Sequence, residues 1–466
     1  MTKRKVGGGD VVTRPATRVR PAPRRGPQEG VRAAAARVVE RTLSARSPVD
    51  GFLVPALAPF DERDQALLRE LVLGTLRWLR RIDQVIAAAS HRGFPEIEPP
   101  LRAPLRVAAY QLLFLDRVPA HAVVDEAVEQ ALYLTHRGGA SFVNAVLRRI
   151  ARAPRLSDWP VSETEPLRRL AIEASHPDFL VRRWAESFGL AATRRLLEAN
   201  NRPRPLHLLA FRDRGGRELL AEALIDEGLE VETCSLSPLG LTVRAGNPLA
   251  TAAFRRGDFY IQDEASQAAA LVPPPSPGER VLDAAAAPGG KAFALLGWEP
   301  AARVFAADLS LPRALVLRAN LRRLERALPM VVADAARTAL AGRFDRVVVD
   351  LPCSGTGTLR RNPELKWRID EAEIGRLADQ ALRMLAGAAP LVRPGGLLVA
   401  ITCSLEPEEN EGVVARFLAD APEYQLLDLA PLLPEPFDRH VAGPGLWRAV
   451  TGGEHDGFTV QVLRRE

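Results

Sequence analysis

Cysteine is scarce in this chain, with three among 466 residues. An odd number without paired spacing argues against a disulfide framework and a Cys-rich zinc site, so no metal is expected. Long hydrophobic runs are missing as well. No uninterrupted apolar stretch reaches the roughly 18 residues of a membrane helix, and the N-terminus lacks an apolar signal core. The expectation is a cytoplasmic protein with no membrane partner, working as a monomer. Charge imbalance is also absent from most of the chain. Residues 1–30 carry eight bases against two acids, while the remainder is balanced at 55 of each, so the net charge of +6 belongs to the tail. This Pro/Gly/Arg-rich stretch has neither helical nor strand period and reads as disordered. It is either a salt-sensitive contact to phosphates or a dispensable solvated arm.

What is present falls into blocks, and the length suits two to four domains. Residues 31–155 read as helices: Leu67, Leu68, Leu71, Val72, Leu76 and Leu79 share one face, Val124, Val128, Ala131 and Leu132 another, and Phe142, Val143, Val146, Leu147 and Ile150 a third. A Pro- and acid-rich linker over 154–166 leads into a small α+β module over 160–272. Its strands are expected at 206–210, 229–232 and 239–243 and its helix at 216–227. Nothing in it points to chemistry, so Cys234 and His207 are read as structural. The Pro-rich run at 273–278 then opens the last domain, 273–466. Strands at 281–284, 304–307, 330–333, 347–349, 397–401 and 458–463 alternate with helices. That pattern predicts a parallel-type sheet covered on both faces, in a doubly wound, Rossmann-like α/β fold.

The other two cysteines lie just past buried strands of that sheet. Cys353 sits in Asp350-Leu351-Pro352-Cys353-Ser354-Gly355-Thr356-Gly357, and Cys403 in Ile401-Thr402-Cys403-Ser404. The carboxyl edge of such a sheet is where ligands bind. Two thiols and a carboxylate there suggest nucleophilic attack on an electrophilic ring carbon. Along the same edge, Ala285-Ala286-Ala287-Pro288-Gly289-Gly290-Lys291 follows the first strand and opens a helix, whose N-terminus favours an anionic group. The loop is neither a GxGxxG fingerprint nor a Walker A motif. Three acids support it as a cofactor loop. Asp308 ends the second strand, where a carboxylate can accept from ribose hydroxyls; Asp334 ends the third, placed for an adenine amino group; Asp350 ends the fourth.

These motifs, together with Asp350 to Trp367 as a continuous stretch, resemble the RNA cytosine-5 methyltransferases that use S-adenosylmethionine. The resemblance implies cofactor contacts by Ala285, Ala286, Ala287, Pro288, Gly289, Gly290, Lys291, Asp308, Asp334 and Asp350. Ala285 stands where many members carry Cys, which a backbone contact tolerates. It further implies Cys403 as nucleophile, Cys353 as the thiol linked to product release and Asp350 as the partner of cytosine N3. In DNA cytosine-5 enzymes the Pro-Cys cysteine attacks, which would nominate Cys353; the surrounding residues favour Cys403. A helix beginning near 406–410 could lower the Cys403 pKa, although the acids there oppose it. Residues 105–114 and 142–149 resemble the NusB-like RNA-binding domain.

Helical domain, small module and methyltransferase domain occur in the order of the RsmB-type family of 16S rRNA cytosine-5 methyltransferases, over residues 31–466. The family's target, the cytosine at position 967 of 16S rRNA, is modified before the subunit is complete, so the implied partner is free rRNA or an early assembly intermediate. The alternatives are a cytosine in another rRNA or a tRNA, and a non-catalytic RNA-binding assembly factor. The small module is expected to extend the RNA-facing surface. Arg360, Arg361, Lys366 and Arg368, with Trp367 among them, are read as a phosphate-holding and base-stacking cluster, or else as a solvated loop.

Overall fold

The computed structural model describes residues 30–337, 340, 342–450 and 452–466, so the expected disorder of the basic tail lies outside the described residues. The first unit is a bundle of helices from Val31–Ala45 to Arg137–Arg152. Helix Glu62–Arg77 begins where the Asp61 carboxylate accepts from Asp64 N at 2.9 Å, satisfying a donor the helix cannot. Leu68, Leu71, Val72 and Leu76 are fully buried, as their spacing predicts. Gly74 admits the Tyr110 ring so closely that a Cβ there would lie 2.0 Å from it. Leu132, expected on an apolar face, is exposed instead.

Three helices that the sequence reading did not identify follow: Pro166–Glu173, Asp178–Phe188 and Leu190–Asn201. Each is too short to give more than two or three apolar repeats. Their core of Leu170, Leu180, Val181, Trp184, Leu196 and Leu197 is completed by Leu359 and Leu405 from the last domain. The small module is an antiparallel sheet of β1 (Leu206–Ala210), β2 (Glu230–Thr233), β3 (Gly240–Ala245) and β4 (Phe259–Ile261), ordered β2-β3-β1-β4. Helix Gly216–Asp226 packs against it.

The last domain contributes β5 (Arg280–Asp283), β6 (Arg303–Asp308), β7 (Met330–Val332), β8 (Phe344–Asp350), β9 (Val392–Thr402), β10 (Tyr424–Leu426), β11 (Val441–Gly443), β12 (Leu446–Ala449) and β13 (Phe458–Arg465). The order is β11-β12-β13-β9-β8-β5-β6-β7, with β10 beside β13. From β7 to β9 every pairing is parallel, as expected; β13 runs antiparallel to β9, so the sheet is mixed. Strand order reverses between β5 and β8, which opens a crevice at their carboxyl ends.

The segment expected to hold RNA phosphates is instead the joint between units. Lys366 is 1% exposed, and its amine donates to Arg77 O, Ser175 O and Asn201 Oδ1 at 3.1, 3.2 and 2.8 Å. Burial first, and Arg77 second, push its pKa well below that of an ordinary lysine. Trp367 donates its indole N–H to Leu76 O at 2.7 Å. Arg360 is buried against the carbonyls of Pro203 and Gly453, and Arg368 bonds Arg46 O at 2.7 Å. Of the cluster, only Arg361 lines the cavity beside Cys403. Neither a solvated loop nor an RNA platform describes Arg360, Lys366 and Trp367, whereas Arg368 borders a separate cavity that also includes Cys353.

Lys366→Ala should therefore destabilise the protein by roughly 3 kcal/mol or more, because each buried acceptor left without a donor costs about 1–3 kcal/mol. Surface Arg376→Ala should stay within about 0.5 kcal/mol. Urea denaturation measures both; a Lys366→Ala protein as stable as wild type would deny the amine this role.

Candidate active site

β8 and β9 are parallel neighbours in register, Asp350 opposite Ile401, and Leu351 N extends the ladder to Ile401 O at 2.8 Å. Each chain then turns at its carboxyl end into a cysteine. The two turns interlock: Gly357 N donates to Cys403 O at 2.9 Å, and a Cβ on Gly357 would lie 2.3 Å from Gly457 O. As a result Cys353 Sγ and Cys403 Sγ are 3.5 Å apart. The hydrogen bond to Cys403 and burial push the Cys353 thiol well above its ordinary pKa.

Two cavities meet at this point. The first, about 380 Å³, is lined by Asp308, Leu309, Asp334, Cys353 and Met384. The second, about 390 Å³, is lined by Lys291, Pro288, Gln262, Arg204, Asn362 and Phe458. Ala285, Asp350 and Cys403 border both. The loop from Ala285 to Lys291 runs along the second cavity and reaches the first only at Ala285. It is held by Asp308, whose Oδ2 accepts from Ala287 N at 3.1 Å and whose Oδ1 accepts from Ser310 N at 2.9 Å. Gly289 has φ 119°, and a Cβ there would strike the Phe293 ring at 2.4 Å, so only glycine permits this turn.

Lys291 Nζ lies 2.6 Å from Asp350 Oδ2. Burial disfavours its ammonium, yet Asp350, Asp283 and Cys403 outweigh that and raise its pKa. Beside it Asp283 is fully buried, with Oδ1 accepting from Ala285 N at 3.3 Å and Oδ2 unpartnered. Burial, opposed by Lys291 and aided by Asp350, raises its pKa to about 7.

The family described as 16S rRNA methyltransferase RsmB/F matches residues 270–441, the NusB family matches 30–152, and the ferredoxin-like domain of RsmF/B-type methyltransferases matches 176–250. The ribosomal RNA small subunit methyltransferase B of Sodalis glossinidius is 34% identical over 445 residues, 94% of this chain and 98% of its own. The chain belongs to the RsmB/F family. The same enzyme of Pseudomonas putida is 34% identical over 434 residues, covering 92% of this chain and 96% of that one. Among solved structures, PH0851 superposes with TM-score 0.76 at 26% identity over 95% of this chain and 99% of its own. The molecule is thus a NusB-like helical domain, a small sheet module and a mixed-sheet methyltransferase domain, in an rRNA-methylating family.

Within this family frame, Asp308 and Asp334 line the first cavity, while Ala286, Ala287, Pro288, Gly290 and Lys291 face the second. Gly289 lines neither and shapes the turn. The expected helix effect on Cys403 is not available. The α-helix there starts only at Glu411, beyond the short reach of its dipole. Glu406 is instead buried in an ion pair with Arg183 at 2.7 Å.

Sequence reasoning passed over Arg204, Tyr260, Gln262 and Asp263, which the small module and its exit strand add to the second cavity. The available signal was Tyr260 to Asp263, a polar segment leaving β4 directly ahead of the methyltransferase sheet. Cys234 and His207 line neither cavity, though His207 Nδ1 lies 3.4 Å from Asp263 Oδ2; they are gathered with Glu264 so that the ligand-type atoms of the three are within 4.8 Å. Burial, then Glu264, raises the Cys234 pKa, leaving a neutral thiol against Thr242.

Asp283 gives a pH signature. Its folded pKa of about 7 exceeds the ordinary 3.8, so the native state holds an extra proton between those values. The stability it confers is complete below about pH 4 and is lost as pH rises to 7, at roughly 1.4 kcal/mol per unit. Asp283→Asn should flatten the decline in urea-measured stability over that range. An unchanged slope would mean Asp283 titrates normally.

Proposed function

We propose that the protein transfers a methyl group from S-adenosylmethionine to C5 of a cytosine in small-subunit rRNA, through a covalent bond between Cys403 and cytosine C6. The observation that carries this reading is the pair of thiols 3.5 Å apart where two cavities meet, Cys403 bordering both and Cys353 the first. One cavity fits the cofactor: carboxylates at the ends of β6 and β7 suit ribose and adenine, and Leu309, Leu351 and Met384 give apolar cover. The other fits a pyrimidine extruded from its strand, since a stacked base could not present C5 and C6 to a thiolate.

When bound, S-adenosylmethionine supplies an electrophilic methyl group. The residues do the rest. Cys403 thiolate adds to C6, which makes C5 nucleophilic. Asp350, beside Lys291, holds N3 through a shared proton, which neutralises the negative charge that thiolate addition places on the ring and is given up again at elimination. After transfer, C5 loses its proton to a base, the C5–C6 double bond re-forms, and Cys403 leaves as thiolate. Cys353, a thiol of raised pKa, stands beside the leaving sulfur and assists its departure. The proposed setting is the cytoplasm, with free rRNA or an early assembly intermediate as substrate. A cytosine in another rRNA or a tRNA would meet the same groups, and bisulfite sequencing of RNA from cells with and without the gene separates these. A conversion-resistant small-subunit cytosine should vanish without the gene; identical patterns would reject the reading.

Two substitutions probe the site. Asp308→Ala should weaken S-adenosylmethionine binding tenfold or more, since charge-assisted hydrogen bonds are worth roughly 1.5–3 kcal/mol each. Calorimetric affinity equal to wild type would remove Asp308 from the cofactor site. Cys403→Ala should lose both turnover and any protein–RNA adduct, while Cys353→Ala should stall as an adduct on denaturing gels. The reverse pattern would make Cys353 the nucleophile.

A further inference from the structure

Beneath the two thiols lies a carboxyl group that the mechanism above does not use. Glu409 is fully buried and lines neither cavity. Its Oε1 accepts from Ser354 N at 2.7 Å and its Oε2 from Ser354 Oγ at 2.6 Å. Ser354 directly follows Cys353. Ser404, which directly follows Cys403, lies 3.3 Å from both Ser354 Oγ and Thr356 Oγ1, so it reaches the carboxyl through the Ser354 hydroxyl. The Cys403 turn is braced from its own side, with Asn410 Nδ2 donating to Ser404 O at 3.1 Å and Glu406 O at 2.9 Å. Across the gap between the two turns, the hydroxyls and Glu409 form a connected buried network.

Burying a carboxyl is costly unless its hydrogen bonds are made. Here burial raises the pKa to about 7, with the serine bonds opposing. A group kept at that cost, bonded to Ser354 of one cysteine turn and linked through that hydroxyl to Ser404 of the other, fixes those turns relative to each other. We propose that Glu409 is a positioning residue that sets the separation between Cys353 and Cys403. It touches neither base nor cofactor and acts through Ser354 and Ser404. The assignment rests on the two-thiol reading of the site, and it explains how one ring can be served by both sulfurs.

The test reads thiol geometry apart from methyl transfer. Treatment with diamide joins the two sulfurs: both S–H bonds are lost, one S–S bond forms, and diamide takes up the two hydrogens. In Glu409→Ala, Cys353–Cys403 disulfide formation followed by mass spectrometry should slow about tenfold or more. kcat should fall by a similar or larger factor, as ångström-scale misplacement does, with KM for RNA and cofactor within about threefold. Glu409→Gln should restore most of both, because its amide oxygen still accepts from Ser354 N and its amide nitrogen can donate to Ser354 Oγ. If Glu409→Ala does not fold, Ser354→Ala, which removes one bond at the carboxyl, should slow disulfide formation severalfold. An unchanged disulfide rate in the folded variant, or Glu409→Gln as impaired as Glu409→Ala, overturns the positioning role. Failure of the cytosine-5 reading looks different: wild type would make no 5-methylcytosine while the disulfide rate still depended on Glu409.

Discussion

The parallel pairing of β8 with β9 is the constraint on which the site depends. Val347, Val348 and Val349 on one strand, and Leu398, Val399 and Ile401 on the other, are buried, so both faces of this part of the sheet are committed to core. A slip of one residue would move a strand end by about 3.3 Å and turn its side chains to the opposite face. Neither thiol would then meet the other. The separation of fifty positions between Cys353 and Cys403 is therefore spanned by hydrophobic register, which brings the two turns together before their own hydrogen bonds act.

Electrostatics divides the crevice that the register creates. Lys291 lies between Asp283 and Asp350, and its ammonium is the positive centre of a buried, otherwise acidic corner. The loop that carries it lines the second cavity, which meets the first where Ala285, Asp350 and Cys403 border both.

Much of this was legible in the chain itself. The apolar runs ending in Asp308, Asp350 and Thr402 announced buried parallel strands, and the motifs at their ends announced the crevice. Periodicity likewise exposed the bundle core around Leu68 and Leu76. What stayed hidden was determined by distant partners. Lys366 looks like a solvent-facing cation until Arg77, Ser175 and Asn201 surround it, and no local pattern signals that. The helices from Pro166 to Asn201 bury their apolar residues against Leu359 and Leu405, so their amphipathic pattern makes sense only with the last domain present. The antiparallel direction of β13 is fixed by long-range pairing and not by its own alternation.

The buried amine of Lys366 has a consequence for the order in which the protein is made. Domains emerging from the ribosome generally fold N-terminal first. The helical bundle can be complete when Arg152 has emerged, yet the carbonyls of Leu76 and Arg77 are matched only by residues 366 and 367, synthesised far later. Throughout that interval the bundle carries a half-built interface, its polar groups satisfied by water and its apolar neighbours unpaired. The joint can close only after residues 366 and 367 have been made, so completion of this face of the bundle waits on the methyltransferase domain.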